Sequence, residues 1–303
     1  MLLTSCTLCP RRCAARREPT RGWGRCGMGI LPVVARAAPH FGEEPCISGT
    51  RGSGTVFFCG CALGCVFCQN ADISRAVPRT ARTLDAGALG ALFAELADKG
   101  VHNINLVTAS HFVPVVAEAL RRCPPGIPVV YNCGGYESVQ TLRMLEGLVD
   151  VYLPDYKFAD ADTAAVCAQA PDYPQTALEA IVEMRRQTGE AVFSPEGILL
   201  RGTLVRHLVL PGLTGASMAA LTRLREALPA DVRVSLMGQY TPFGPARGIR
   251  GLDRPLLRRE YRRVAAHMRA LGFDGYLQTP EASGTDMIPA WDGEGLKGKG
   301  KPC

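Results

Sequence analysis

Nowhere in the 303 residues does an apolar run approach the roughly 18 needed to cross a bilayer, so no membrane role is expected. The amino terminus is equally poor: Met1, Leu2 and Leu3 give way at once to polar residues, without the apolar core of a secretory leader. Lacking a leader, the thirteen cysteines are expected to be thiols of a reducing cytoplasm rather than a disulfide framework. Nor is the formal charge of +6 gathered into a block. Arg11-Arg12, Arg16-Arg17, Arg185-Arg186 and Arg258-Arg259 are spread along the chain with no aromatic-interleaved basic motif, so nucleic acid is not an expected partner. What is present is an ordinary globular composition, 47% hydrophobic, long enough for one barrel-sized domain and a small extra module.

Residues 1–53 are rich in cysteine and arginine, lack sustained periodicity and end in the turn-forming GTRGSGT, and are read as an amino-terminal metal-binding module. From Thr55 onward short apolar runs alternate with amphipathic stretches. Strands are predicted at Thr55 to Phe58, Asn103 to Val107, Pro128 to Tyr131, Val149 to Leu153, Thr203 to Leu210 and Val232 to Met237. Helices are predicted at about Asp85 to Gly100, Val113 to Arg122, Val139 to Leu145, Asp160 to Gln187 in two segments, and Ser217 to Leu228. A last long helix follows, marked by Leu256, Tyr261, Val264 and Met268. Strands separated by helices, with connections long enough for crossovers, predict an α/β fold with a parallel sheet over 54–280. The remainder, 281–303, is expected to be a partly disordered tail, Gly/Lys-rich from Gly293.

The densest chemistry lies in FFCGCALGCVFCQN, where Cys61, Cys65 and Cys68 place three thiols within eight residues directly after a strand. A structural zinc site would want four ligands, commonly in CxxC pairs. Three thiolates suit a four-iron cluster with one iron left without a protein ligand. Cys59 would close that position if it were a fourth ligand; as a small strand-end side chain it would leave it open. A second group, Cys6, Cys9, Cys13 and Cys26 in CTLCPRRC and GRCG, offers enough thiols for a tetrahedral zinc ion or an auxiliary iron-sulfur cluster, with Cys46 a substitute for one of them. A small arginine-rich segment gains most from such a staple.

The CxxxCxxC spacing, with Phe67 just before the third cysteine, resembles the signature of the radical S-adenosylmethionine (SAM) superfamily. The resemblance implies a 4Fe-4S cluster on Cys61, Cys65 and Cys68 as the catalytic centre, and SAM chelated at the open iron by its amino and carboxylate groups. It further implies an electron that splits the sulfonium into methionine and a 5′-deoxyadenosyl radical able to abstract hydrogen. The implied fold is an open six-stranded parallel (β/α)6 partial TIM barrel, with its working residues at the carboxyl ends of the strands. EEPCISGTRGSGTVFF, CVFCQN, NLVTASHF, NCGGYES, LPDYKF, RHLVLPG and LMGQYTP are together similar to the pyruvate formate-lyase activating enzyme homologues, over about Cys6 to Gln278. That likeness implies hydrogen abstraction from a protein or peptide, such as a glycyl-radical enzyme, and an electron donor such as flavodoxin or ferredoxin. Asp155 and Lys157 match its DxK element, and Asn70 its CxxCxN pattern. The chain departs from it after the second strand, where Thr108-Ala109-Ser110-His111 replaces a GGE-like segment. The methionyl amine is then left to backbone carbonyls, Ser110 or another group.

Polar residues just past the strands are the expected contacts of cofactor and substrate. They are Phe67 and Asn70 near the cysteines, then Ser110, Asn132, Asp155, Lys157, Arg206 and Gln239. Asp155 and Lys157 share one face of an extended chain, where a plain salt bridge at the barrel mouth is the alternative. Arg206 and His207 are neighbours in a strand, so only one can face the interior. Two other functions fit the same residues: radical modification of a small molecule or RNA base, and a non-catalytic metal-binding protein that senses redox state.

Overall fold

The computed structural model describes residues 3–278 and 288–296. A hairpin of β1 (Leu3–Cys6) and β2 (Ala15–Arg17) comes first, followed by β3 (Val33–His40), the short helix α1 (Pro45–Ser48) and β4 (Ser53–Phe58), which runs antiparallel to β3. Next are α2 (Ala71–Ser74) and β5 (Arg82–Thr83), the latter paired with β3. The chain then alternates through α3 (Ala86–Asp98), β6 (Ile104–Val107), α4 (Val113–Arg122), β7 (Val129–Cys133), α5 (Val139–Leu142) and β8 (Val151–Pro154). It continues with α6 (Ala161–Ala168), α7 (Tyr173–Thr188), β9 (Val192–Phe193), β10 (Leu199–Leu208), α8 (Thr214–Ala227), β11 (Arg233–Met237), α9 (Arg258–Ala270) and β12 (Gly275–Leu277).

The main sheet is ordered β12-β11-β10-β8-β7-β6-β4-β3-β5, with β9 antiparallel on β10. Every predicted strand is present in it, each parallel to the next. The sheet is wider than the six-stranded barrel expected, because β12 adds a parallel strand at one edge and β3 and β5 add antiparallel ones at the other. Parallel strands are covered on both faces, and β4, β6, β7 and β8 are buried at every position. The same burial hid β3 from the sequence reading: VVARAAPH is too continuously apolar to show an alternating period. It places part of the presumed 1–53 module inside the sheet, where it shields the edge of β4.

Two large apolar clusters hold the layers. One lies under β3, β4, β6 and β7 with α3 and α4. The other joins α6 to α9 and takes in Leu63, Val66 and Phe67 of the loop after β4. At the far end of the chain, residues 288–296 form a strap within the stretch expected to be a partly disordered tail. Glu294 accepts a 2.9 Å bond from the Ala37 amide, Trp291 packs edge-on to Phe57 at 5.3 Å, and Arg36 pairs with Asp292 and Glu294. The rest of that expected tail lies outside the described residues. Among the described residues no helix is long and apolar enough to cross a membrane.

Candidate functional site

The loop after β4 is fixed from several sides. Gly60 takes φ +83°, and a Cβ there would lie 2.4 Å from Met28 Cγ and 3.0 Å from the Cys26 carbonyl, so only glycine fits. The Gly64 and Val66 amides donate to Ala168 and Cys167 carbonyls at 3.1 and 2.9 Å. Arg75 donates to the Gly64 and Cys65 carbonyls at 3.2 and 3.0 Å, and Arg11 to Ala62 at 2.9 Å. Phe67 is clamped between Phe158 and Tyr240, at 6.4 and 5.9 Å. Thus held, Cys61, Cys65 and Cys68 line one cavity of about 190 Å³ as free thiols. Burial, with repulsion from neighbouring thiols, pushes Cys61 and Cys65 up to about 12.

These residues fit a cluster better than a lone ion. Among the described residues no three His, Cys, Asp or Glu side chains converge where a single metal ion could sit. In a cluster each thiolate binds a different iron, so convergence on one point is not required. The Leu63 amide also donates to the Cys61 sulfur, the kind of bond that tunes cluster potentials. Cys59 is fully buried in the other apolar cluster and does not line the cavity. Cys133, at the end of β7, is a fourth thiol on its lining, but it is hydrogen-bonded to Glu137, which leaves the three loop thiols as the cluster ligands.

The same cavity is lined by a polar network at the carboxyl ends of β7, β8 and β10. Arg206 is its centre. Its Nε donates to Asp155 Oδ1 at 2.9 Å, Nη1 to Glu43 Oε2 at 3.0 Å, and Nη2 to Asn132 Oδ1 at 2.5 Å. Lys157 donates to the other Asp155 oxygen. Burial alone would raise the Asp155 carboxyl, but Arg206 and Lys157 outweigh it and hold it below the usual range. Glu43 also accepts from Asn105 and Asn132 at 3.1 and 3.0 Å.

Seven of the expected contacts, Phe67, Asn70, Asn132, Asp155, Lys157, Arg206 and Gln239, line the thiol cavity. Ser110 does not. Its hydroxyl donates to Glu137 in a buried cluster with Tyr131, where burial lifts the Glu137 carboxyl to about 7. The cavity position after β6 belongs to Thr108, a β-branched residue at φ +63°. Holding such a residue there costs about 1 kcal/mol or more. Thr108→Gly is therefore expected to stabilise the protein by about 1 kcal/mol in chemical denaturation, and Thr108→Ala by clearly less, since alanine keeps a Cβ. Of the adjacent pair, Arg206 faces the interior while His207 is buried behind the strand, its Nδ1 2.6 Å from the Tyr156 carbonyl.

The sequence reading missed Glu43 and Glu44 because they fall in a segment assigned to the amino-terminal module; their signal was the acid pair just before Pro45. They border a second cavity of about 330 Å³, which shares Asn70, Asn132, Arg206 and Gln239 with the first.

Cys6, Cys9, Cys13 and Cys26 lie against the back of the Cys61 loop. Cys9 packs in the same apolar cluster as Ala62 and Leu63, and the Cys26 carbonyl crowds Gly60. The Arg11 amide donates to the Cys9 sulfur and the Met28 amide to the Cys26 sulfur, repeating the Cys61 arrangement. Arg12 and Ala14, at φ +40° and +49°, turn the chain tightly around Cys13. Buried Arg17 reaches Cys6 Sγ at 3.6 Å and the His111 carbonyl at 2.7 Å, tying this segment to the turn after β6. Cys46 stands apart, near Tyr276 and Glu44.

No protein-family model matches the chain. An uncharacterised protein of Methanocaldococcus jannaschii, MJ0674, is 26% identical over 263 residues, covering 84% of this chain and 71% of that protein. Among solved structures, Streptococcus suis SuiB bound to its precursor peptide SuiA aligns with TM-score 0.50 and 11% identity, over 73% of this chain and 47% of SuiB, so the chain spans about half of SuiB. Methylornithine synthase (PylB) aligns at TM-score 0.46 and 16% identity, over 71% of this chain and 61% of that one. The [FeFe]-hydrogenase maturase HydG aligns at 0.45 and 12%, over 71% and 48%. The likeness to SuiB is one of fold: an α/β architecture around a mostly parallel sheet.

Proposed function

We propose that the chain is a radical SAM enzyme that cleaves SAM reductively and abstracts hydrogen from a protein or peptide, with a glycyl-radical enzyme as one candidate. The single observation that carries this reading is that Cys61, Cys65 and Cys68 line one cavity together with Asp155, Lys157 and Asn132. A 4Fe-4S cluster on Cys61, Cys65 and Cys68, when bound with SAM, supplies the electron and the adenosyl radical. The chain's own residues do the rest. Asp155 can accept from an amine, Lys157 can pair with a carboxylate, and Phe67 with Tyr240 keeps one side of the site apolar. An electron donor such as flavodoxin or ferredoxin belongs to this reading. So does an auxiliary iron-sulfur cluster on Cys6, Cys9, Cys13 and Cys26, supported by the repeated amide-to-sulfur bonds. A second reading, a small-molecule substrate, is favoured by the size and polarity of the inner cavity.

Anaerobic reconstitution tests both parts. The expected result is about eight irons per chain without zinc, and 5′-deoxyadenosine formed only with reductant. About four irons with one zinc would replace the auxiliary cluster by a staple, and a SAM-inert protein would remove the enzyme reading. A glycyl doublet in electron spin resonance after adding a candidate partner would select the activating role over small-molecule chemistry.

A further inference from the structure

We propose that the inner cavity is an amine-recognition subsite, in which Glu44 receives an ammonium or guanidinium group of the substrate. The inference rests on reading this cavity as the place where substrate binds. Glu44 enters from the turn between β3 and α1, and its Oε2 is buried without a hydrogen-bond partner while it borders the 330 Å³ space. A buried carboxyl oxygen left unpaired costs more than a typical hydrogen bond returns, so an incoming donor there gains the whole difference.

The Ser235 hydroxyl bonds the Glu44 carboxyl but carries no charge, and among the described residues no cation pairs with Glu44 through a hydrogen bond. Arg206 is the nearest cation, yet all three of its nitrogens are engaged, by Asp155, Glu43 and Asn132. Tyr276 directs its hydroxyl to Cys46 and Arg233. His40, on the same wall, is held toward its neutral form by burial and by Arg36. Lys157 serves Asp155 in the neighbouring cavity. Among the described residues three carboxyl groups, Asp155, Glu43 and Glu44, thus face two cations, and the unmatched one lies on the lining of this cavity. The matching ligand carries a positive charge and several N–H donors. Gln278 and Gln239, joined at 2.8 Å, and the Ser235 hydroxyl add neutral polar groups to the walls.

The test is equilibrium binding to anaerobically purified full-length protein, by saturation-transfer NMR, with n-butylammonium, n-butanol and a blocked Gly-Lys-Gly tripeptide as probes. Wild type is expected to prefer the ammonium over the isosteric alcohol by at least about tenfold, and Glu44→Gln to lose that preference. Tighter binding of the tripeptide assigns the group to a basic side chain; tighter binding of butylammonium assigns it to a free amine. A crystal of wild type soaked with butylammonium supplies a readout independent of the variant's folding: the nitrogen is expected within hydrogen-bond reach of Glu44. Equal binding of alcohol and amine, or an amine seated elsewhere, overturns the proposal. Because the probes need no SAM cleavage, Cys65→Ala should keep the preference. Loss of the radical reading with the preference intact, or the reverse, therefore tells the two failures apart.

Discussion

Cys65→Ala is expected to lower reductant-dependent SAM cleavage by at least about a thousandfold and to remove about four irons per chain. The loss should be that large because the other nearby thiols are held elsewhere: Cys133, on the same cavity, is hydrogen-bonded to Glu137. Cys59 is buried in the opposite apolar cluster, and Cys167 lies in the packing behind the loop. Cys59→Ala and Cys167→Ala are the matched controls. Each deletes a buried thiol and should cost some stability while leaving iron content and cleavage in place. Iron counting, electron spin resonance and 5′-deoxyadenosine release separate the three variants. Unchanged cleavage in Cys65→Ala, or loss of the cluster in Cys59→Ala, would refute the three-thiol site.

Arg206→Met has the largest expected effect on stability. It removes a buried guanidinium that bonds Asp155, Glu43 and Asn132 and sits near Glu44, leaving Glu43 without a hydrogen-bonded cation and Asp155 with Lys157 alone. Breaking such a network from one side costs about 3–5 kcal/mol. The pH dependence has a definite sign. In wild type the Asp155 carboxyl is held below its usual value, so its contribution is present above the ordinary carboxylate range and is lost as pH falls through the depressed value. In the variant, the carboxylates left behind are pushed upward, so protonation relieves the defect and the deficit shrinks on moving from pH 8 to pH 5.5. Denaturant melts at those two pH values measure it. A deficit below about 1 kcal/mol, or one that grows in acid, would show that Arg206 is not the electrostatic keystone of the interior.

The parallel strands were legible because each is a short apolar run bounded by turn residues and followed by a helix of its own period. Val113–Arg122 has the predicted bounds, and β10 begins four residues earlier than the predicted Thr203. β3 was not legible, since a strand covered on both faces and rich in alanine carries no alternation to detect. The thiols of the candidate site could be read from spacing alone, and the lining groups from their positions after strands. Ser110 was misplaced because position after a strand does not say which way a side chain turns; Thr108, at φ +63°, took the cavity position instead. Glu43 and Glu44 were missed because their partners lie far along the sequence: Glu43 meets Arg206 across 163 positions. The amino-terminal thiols were visible as a group, but the amide-to-sulfur bonds that liken them to Cys61 appear only in three dimensions.

The strap at 288–296 is held by forces of a different kind from those inside the molecule. Pro289 borders the inner cavity, while Arg36 holds the strap through Asp292 and Glu294, both on the wet side of the molecule. Pairs of that kind weaken with ionic strength, whereas Arg206, Asp155 and Glu43 are shielded from mobile ions. Rising electrolyte thus loosens the anchors of the strap and spares the ion pairs buried beside the cavity, so the two grips on this part of the molecule part company as salt is added.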